Sequence, residues 1–246
     1  MLKEIVVNTA VRLGVDARLR SVCTPLFASL RRDTLDNQHL RLLLSFALAE
    51  DSNCVDIGAN KGEILAEMVR AAPRGRHIAY EPLPHLHKSL SDQFPSVDVR
   101  LAAVSNEEGE ASFTHVRNLA THSGLREITY PVQPQLEKMT VRTETLDSSL
   151  PTNYVPTLIK IDVEGAERQV IEGAINTISK HKPIVVFEHG KQASSYYDTL
   201  ACHIFKLLHD EAGLRIFDMD GNGPFTLGRF EEIYASGKLW NFVAHS

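Results

Sequence analysis

The sequence predicts an α/β protein with a mostly parallel sheet, helices on both faces of that sheet and an antiparallel hairpin at its C-terminal end. Two observations predict this class. Short apolar runs alternate with stretches in which apolar residues recur every three to four positions, and this is the pattern of strands that alternate with helices. The 246 residues are 43% hydrophobic, which is enough to bury a sizeable core.

The chain is predicted to begin with a helical extension, residues 1–50, which precedes a main domain, residues 51–246. One face of a helix in this extension carries an apolar stripe of Leu40, Leu43, Leu44, Ala47 and Leu48. The main domain then contains five apolar runs that we interpret as strands, at 54–57, 77–80, 97–104, 158–163 and 184–188. Helical stripes lie between these runs, and the right-handed crossovers that they imply make the sheet mostly parallel.

Two regions depart from this alternation. Residues 106–150 are polar, and their short alternating stretches at 112–116 and 140–145 predict an inserted antiparallel excursion near the active face. The last apolar runs, 214–219 and 240–244, predict the closing hairpin, whose long connection begins with the glycine-rich turn D-G-N-G-P.

The stretch C-V-D-I-G-A-N-K-G joins the first predicted strand to the helix that follows it. Ligands of an open α/β sheet bind at the carboxyl ends of its strands, although a plain strand–turn–helix connection would also explain this stretch. A dinucleotide fingerprint would require glycine at positions 60 and 63, where this chain has Asn60 and Glu63, and no phosphate-binding P-loop is present. Asp56 would repel a pyrophosphate and suits a cationic ligand, so we predict S-adenosylmethionine (SAM), with its ammonium held by Asp56 directly or through water.

Further cofactor contacts are predicted at the same edge of the sheet. Gly58 and Gly62 leave the loop bare, so the methionine part of SAM can lie against its backbone. Glu81, at the end of the second strand, is expected to accept hydrogen bonds from the ribose hydroxyls, and Pro82 to shape the wall beside the sugar. Ala102 and Ala103 are small enough to form a slot for adenine, although they could equally well pack beneath a helix.

The stretch L-I-K-I-D-V-E-G-A-E ends the fourth strand with Asp162. Lys160 and Asp162 share one face of this strand, and Asp162 should reach the cleft that also contains Asp56. Glu164 and Glu167 could instead be charges that cap the next helix. Asp162, Glu188 and His189 are candidates for the base that deprotonates an acceptor hydroxyl. The same three residues could bind one divalent metal ion, but no metal-ligand spacing supports this, and His189 could be structural.

Together these motifs resemble the FkbM family of SAM-dependent methyltransferases. The resemblance covers about residues 53–190 and rests on V-D-I-G-A-N-K-G, E-P-L-P, L-A-A-V-S-N-E-E-G, L-I-K-I-D-V-E-G-A-E and P-I-V-V-F-E, in that order. It implies a Rossmann-like class I methyltransferase fold and the methylation of hydroxyl oxygens on sugars, glycans or natural products. It also implies that Asp56, Gly58, Asn60 and Gly62 frame SAM, that Glu81 holds its ribose and that Asp162 closes the site. The family often has a serine near position 123, which makes Ser123 a further cofactor candidate.

Composition argues against several other functions. The net charge of −5 and the absence of a basic arm disfavour a nucleic-acid acceptor. Three scattered cysteines and no secretory signal predict a reducing, cytoplasmic location, and the longest apolar stretch, 40–49, is too short to span a bilayer.

An NAD(P)-dependent oxidoreductase and a binding protein that retains the fold without catalysis are the alternatives to a methyltransferase. The oligomeric state is left open.

Overall fold

The computed structural model describes residues 28–116, 123–126, 133 and 135–246. Most of the predicted helical extension, including Cys23, and part of the predicted insert therefore lie outside the described residues. Residues 28–47 form a helix, in agreement with the prediction, whereas the domain boundary near residue 50 stays a prediction.

The main sheet has seven strands, with the spatial order β3-β2-β1-β7-β8-β10-β9. These strands are β1 (Cys54–Ile57), β2 (Ile78–Tyr80), β3 (Asp98–Arg100), β7 (Leu158–Ile161), β8 (Ile184–Glu188), β9 (Arg215–Asp218) and β10 (Asn241–His245). A second sheet has the order β4-β6-β5 and consists of β4 (Ala103–Val104), β5 (Gly109–Val116) and β6 (Leu136–Glu144). The predicted antiparallel excursion is confirmed by the pairing of β5 with β6.

Helices cover both faces of the main sheet. They are α1 (Ala28–Ala47), α2 (Glu63–Ala71), α3 (Pro84–Gln93), α4 (Leu146–Ser149), α5 (Glu167–Glu172), α6 (Ile175–His181), α7 (Lys191–Ser195), α8 (Ala201–Phe205) and α9 (Leu227–Ser236), and α8 continues as a π-helical segment, Lys206–Glu211. On one face, Leu44 of α1 and Met68 of α2 pack on the sheet beside Cys54 and Leu158. Helices α5, α6, α8 and α9 pack on the opposite face, so the predicted α/β class is confirmed.

The predicted strand at 97–104 is split between the two sheets. Residues Asp98–Arg100 pair in parallel with β2, whereas Ala103–Val104 pair with β6. The chain leaves the main sheet at Leu101, whose side chain is 45% exposed, and the next residue, Ala102, is buried. The apolar run continues through this bend, so the run alone does not predict where the pairing changes.

The C-terminal strands are antiparallel, as predicted, but their connection contains a helix that the sequence reading missed. Helix α9 begins after Thr226, whose hydroxyl accepts a hydrogen bond from the backbone N–H of Arg229, and it buries Phe230, Ile233 and Tyr234. Strand β10 then enters between β8 and β9 and is antiparallel to both. The two strands are therefore neighbours without forming a tight hairpin.

The positions of three parallel strands determine where the site lies. Asp56 of β1 is in register with Ala79 of β2 on one side and with Lys160 of β7 on the other. The loops that follow these strands consequently leave the sheet at one edge, where the strand order reverses between β1 and β7. Within the described residues, none of the helices combines the length and the apolar character that crossing a bilayer requires.

Candidate active site

A cleft opens at the carboxyl ends of β1, β2 and β7, with a volume of about 760 Å³ when the part open to solvent is included. Apolar side chains form much of its wall: Ile57, Leu83, Leu86, Val104, Phe113, Leu125 and Val163. Eight residues that the sequence predicts as cofactor contacts also line it: Gly58, Asn60, Glu81, Pro82, Ala102, Ala103, Ser123 and Asp162. A concave, mostly apolar space with a few convergent polar groups is typical of a small-molecule site.

The two glycines of the loop after β1 have different roles. Gly58 has φ +80°, and a Cβ atom there would lie 2.0 Å from the backbone oxygen of Asp162. A side chain at this position would thus push apart the two loops that form the floor of the cleft. Gly62, with φ +79°, does not line the cleft; a Cβ atom there would lie 2.7 Å from side-chain atoms of Leu90 and Phe94, so this glycine lets α2 pack against α3.

Glu81 is held by the backbone at the end of β2. Its two carboxyl oxygens accept hydrogen bonds from the N–H groups of Asn60 and Leu83, each at 2.9 Å. Burial raises the pKa of Glu81 to about 7, and these backbone hydrogen bonds oppose the rise. Two carboxylate oxygens offer about four acceptor positions, so Glu81 retains capacity for hydroxyl donors of a ligand. The buried side-chain oxygen of Asn60 beside it has no hydrogen-bond partner among the described residues.

Lys160 joins two carboxylates at the edge between β1 and β7. Its Nζ lies 3.3 Å from Asp56 Oδ1 and 3.3 Å from Asp162 Oδ2, and it donates to the backbone oxygen of Gly58 at 3.4 Å. The contact with Asp56 lacks good hydrogen-bond geometry, but opposite charges at this distance still attract. Burial raises the pKa of Asp56, and the Lys160 ammonium opposes this rise.

Asp56 and Asp162 differ in exposure. Asp56 is fully buried and does not line the cleft, whereas the side chain of Asp162 is 40% exposed and faces it. Lys160 therefore stands beside a buried acid and an accessible one. The ammonium-binding role that the sequence predicts for Asp56 stays a prediction.

A short segment, residues 123–126, closes one side of the cleft. Gly124 exchanges two backbone hydrogen bonds with Thr114 of β5, and the Ser123 hydroxyl accepts from the N–H of Val116 at 2.9 Å. On the other side, the N–H of Arg126 donates to the hydroxyl oxygen of Tyr197 at 3.0 Å. The segment is thus attached both to the second sheet and to the chain that follows β8.

Acidic side chains follow β7 and β8 at the same edge. Glu164 lines the cleft and has φ +56°, and burial together with Asp162 raises its pKa well above the usual value. Glu167 accepts hydrogen bonds from the N–H groups of Gly165 and Val163, which precede helix α5, and burial raises its pKa to about 7. Glu188 does not line the cleft, but burial, Asp162 and Glu164 raise its pKa well above the usual value.

His189 lies deep in the protein. Its ring stacks on Tyr234, with centroids 4.8 Å apart, and more distantly on Phe230, at 6.1 Å. Neither ring nitrogen has a hydrogen-bond partner among the described residues, and burial lowers the pKa of His189 to about 4, which makes the ring neutral at pH 7. His189 does not line the cleft, so its predicted role as base stays a prediction.

The base candidates do not form a metal site in the described part of the chain. No group of three or more His, Cys, Asp or Glu side chains there is arranged to hold a metal ion. Asp162 and Glu188 interact electrostatically, but His189 is directed among aromatic rings instead of toward them.

Sequence reasoning overlooked two residues of this edge. The sequence places Lys160 on the face of Asp162 but assigns it no role. A lysine inside a buried strand is nevertheless a signal that an acidic side chain is paired with its charge. Tyr197 holds the 123–126 segment from a distant part of the chain, and no local pattern predicts such a contact.

The chain is similar to a known protein family and to several known proteins. Residues 56–215 match the Methyltransferase FkbM domain. The AMB antimetabolite synthetase AmbE of Pseudomonas aeruginosa is 33% identical over 84 residues, which are 32% of this chain and 4% of AmbE.

Among solved structures, a methyltransferase FkbM from Methylobacillus flagellatus KT is 17% identical, with a TM-score of 0.51, and the match covers 81% of this chain and 44% of that chain. The plantazolicin methyltransferase BpumL, solved in complex with SAH, is 10% identical, with a TM-score of 0.45 and a match over 98% of this chain and 93% of that chain. The chain therefore spans less than half the length of the Methylobacillus protein and a small fraction of AmbE.

Proposed function

The chain belongs to the FkbM methyltransferase family, and we propose that it transfers a methyl group from SAM to a hydroxyl oxygen of a sugar, a glycan or another natural product. The observation that carries this proposal is the combination of Glu81, an apolar wall and the accessible carboxylate of Asp162 in one cleft. These three features match the three parts of SAM, which are a ribose, an adenine ring and a cationic amino-acid tail.

The ribose fits the end of β2. Glu81 retains acceptor capacity beyond its two backbone hydrogen bonds, and the unpartnered side-chain oxygen of Asn60 offers another acceptor nearby. The Asn60 oxygen is a buried acceptor that the described protein leaves unsatisfied, so a hydroxyl donor from a ligand would satisfy it. Pro82 lines the cleft directly after Glu81 and restricts the chain beside the sugar.

The adenine fits the apolar wall. Ala102 and Ala103 are buried and line the cleft together with Leu83, Leu86 and Phe113. Small residues leave room for a flat ring, and the larger ones supply apolar contact on its sides.

The charge of the cleft favours SAM over a dinucleotide. Asp56, Lys160 and Asp162 together carry a formal charge of −1. The amino group and the sulfonium of SAM are attracted by this charge, whereas a pyrophosphate is repelled. When bound, SAM supplies a methyl group that is already activated by its positive sulfur.

The protein would then align the acceptor and remove its proton. Alignment in a site from which water is excluded is worth about 7–11 kcal/mol in model reactions, and a general base adds roughly 10²–10⁴-fold. We assign the base to Asp162 and Glu164, which line the cleft, or to Glu188, which interacts electrostatically with both; burial raises the pKa of the two glutamates well above the usual value. The match to part of an antimetabolite synthetase supports an acceptor among natural products.

Thermal denaturation with three ligands tests the proposal. SAM and SAH at a hundred times their dissociation constants should stabilise the folded protein by about 2.7 kcal/mol and raise its Tm by several degrees. NADH should leave the Tm unchanged. A rise with NADH and none with SAM or SAH would favour the oxidoreductase, and SAM binding without methyl transfer to a broad panel of hydroxyl acceptors would favour a non-catalytic binding protein.

A further inference from the structure

Lys160 occupies an unusual position for a lysine. It lies in the four-residue strand β7 between Ile159 and Ile161, and it is 8% exposed. Removing an ammonium from water costs free energy unless acceptors replace the water. If Lys160 only filled space, the protein would be less stable than one with leucine or methionine at this position. The buried charge therefore needs an explanation.

The surroundings of the ammonium supply three acceptors. They are Oδ1 of Asp56 at 3.3 Å, Oδ2 of Asp162 at 3.3 Å and the backbone oxygen of Gly58 at 3.4 Å. The contact with Gly58 is a hydrogen bond and the two with the carboxylates are ion pairs, and the ammonium has three N–H donors to share among them. Lys160 is therefore engaged by groups of the protein itself. The two carboxylates raise its pKa, so it keeps its proton and is not a base.

The three contacts have separate consequences. The contact with Asp56 neutralises a fully buried carboxylate that has no hydrogen-bond partner among the described residues. The contact with Gly58 fixes the carbonyl of the glycine loop. The contact with Asp162 holds one oxygen of a carboxylate that is otherwise 40% exposed to the cleft, and it leaves the other oxygen available.

From this geometry we propose that Lys160 is the positioning residue of the cofactor site, and that Asp162, not Asp56, is the carboxylate that receives the amino group of the cofactor. Lys160 neutralises Asp56 and orients both the Gly58 loop and Asp162. This inference rests on the proposed use of SAM, because it assigns the amino-acid end of that cofactor to one side chain.

A pair of ligands separates positioning from general damage to the site. SAH carries the amino-acid group, whereas 5′-methylthioadenosine has the same adenosine and a thioether but lacks that group. In calorimetric titrations of the full chain, Lys160→Met and Asp162→Asn should weaken SAH binding at least tenfold and leave 5′-methylthioadenosine binding within about twofold of wild type. Lys160→Arg should retain part of the SAH affinity, because it keeps the positive charge.

The double variant Asp56→Asn/Lys160→Met removes both charges of the buried pair. It therefore separates the loss of positioning from the destabilisation caused by an unpaired Asp56. We expect its Tm to recover relative to Lys160→Met, while its SAH binding stays selectively weakened. Wild-type SAH affinity in this double variant or in Asp162→Asn, or equal losses of both ligands in Lys160→Met, would overturn the inference. A wild-type chain that binds neither SAH nor SAM would instead overturn the proposed function, and with it the assignment to Asp162.

Discussion

At the scale of single residues, the surroundings of Glu81 indicate most clearly which ligand group it binds, a pair of ribose hydroxyls. Its carboxylate is 4% exposed, is anchored by two backbone N–H groups and faces the cleft. The sequence predicted it from its place at the end of the second strand. What the sequence could not show is that the same carboxylate also holds the glycine loop through Asn60, because that contact depends on how the two loops meet.

Replacing Glu81 by glutamine should weaken SAH and 5′-methylthioadenosine by similar factors, since both ligands contain the ribose. We expect a loss of about 1–3 kcal/mol, the usual range for hydrogen bonds to a charged group. Calorimetric titration measures both affinities, and the exposed Glu107→Gln serves as the matched control. A variant that binds both ligands as tightly as wild type would remove Glu81 from the cofactor site.

The raised pKa of Glu81 also predicts how binding depends on pH. The folded pKa, about 7, lies above the usual value of 4.5, so the protonated form stabilises the free protein at low pH, and this contribution is lost as the pH rises from 4.5 through 7. Ribose hydroxyls donate to the charged form, so SAH should bind more tightly from pH 6 to pH 8 and release a proton near pH 7. Titrations in buffers of different ionisation enthalpy measure that proton. The same pH dependence in Glu81→Gln would assign it to another group.

The lowered pKa of His189 predicts that its contribution to stability decreases in acid, whereas that of Glu81 increases. Its folded pKa, about 4, lies below the usual value of 6.5, so its contribution to stability is present above pH 6.5 and is lost as the pH falls toward 4. His189→Phe, which keeps an aromatic ring between Phe230 and Tyr234, should be stabilised relative to wild type by up to about 2 kcal/mol more at pH 5 than at pH 7.5. Urea denaturation at both pH values measures this difference.

The same variant tests the role of His189 that the sequence predicts. Because the ring is buried away from the cleft, we expect SAH binding to be unchanged in His189→Phe. Loss of methyl transfer with intact SAH binding would confirm the predicted role as base. Equal stabilisation at the two pH values would contradict the depressed pKa.

At the level of elements, the loop between β1 and α2 carries the site. The sequence predicts the bare backbone of this loop from Gly58 and Gly62, and both glycines have a positive φ in the structure. The bounds of β1 and β8 were also predictable, since each is a short, mostly apolar run, which lies between Asn53 and Gly58 in β1 and between Pro183 and His189 in β8. The split of 97–104 was not, because an apolar run does not show which of two sheets it will pair with. Helix α9 was missed because its three buried residues follow a glycine-rich turn that was read as a connection.

Gly58→Ala should destabilise the protein and abolish SAH binding. A left-handed conformation alone costs alanine about 1–2 kcal/mol, and a Cβ atom 2.0 Å from the oxygen of Asp162 forces the backbone to move as well. Gly228→Ala is a matched control, because its Cβ would meet nothing within 4 Å and it lies in α9. This control should be neutral or stabilised by up to about 1 kcal/mol. Equal urea midpoints for the two variants would contradict the close approach at Gly58.

At the scale of the whole molecule, the reversal of strand order between β1 and β7 brings residues that are distant in sequence to one cleft. Asp56 and Lys160 are 104 positions apart in the chain, yet they are paired in the sheet. The sequence predicted the α/β class and the convergence of acids at one edge from the alternation of strands and helices. It could not predict the relative depth of those acids, because that depends on the register of β1 with β7.

The most direct test of the account is a crystal structure of the full chain grown with SAH. We predict electron density for SAH in the cleft, with its adenine against Ala102 and Ala103, its ribose hydroxyls within hydrogen-bond distance of Glu81 and its amino group at Asp162. Density for the nucleoside at another edge of the sheet, or an amino group that does not contact Asp162, would contradict it.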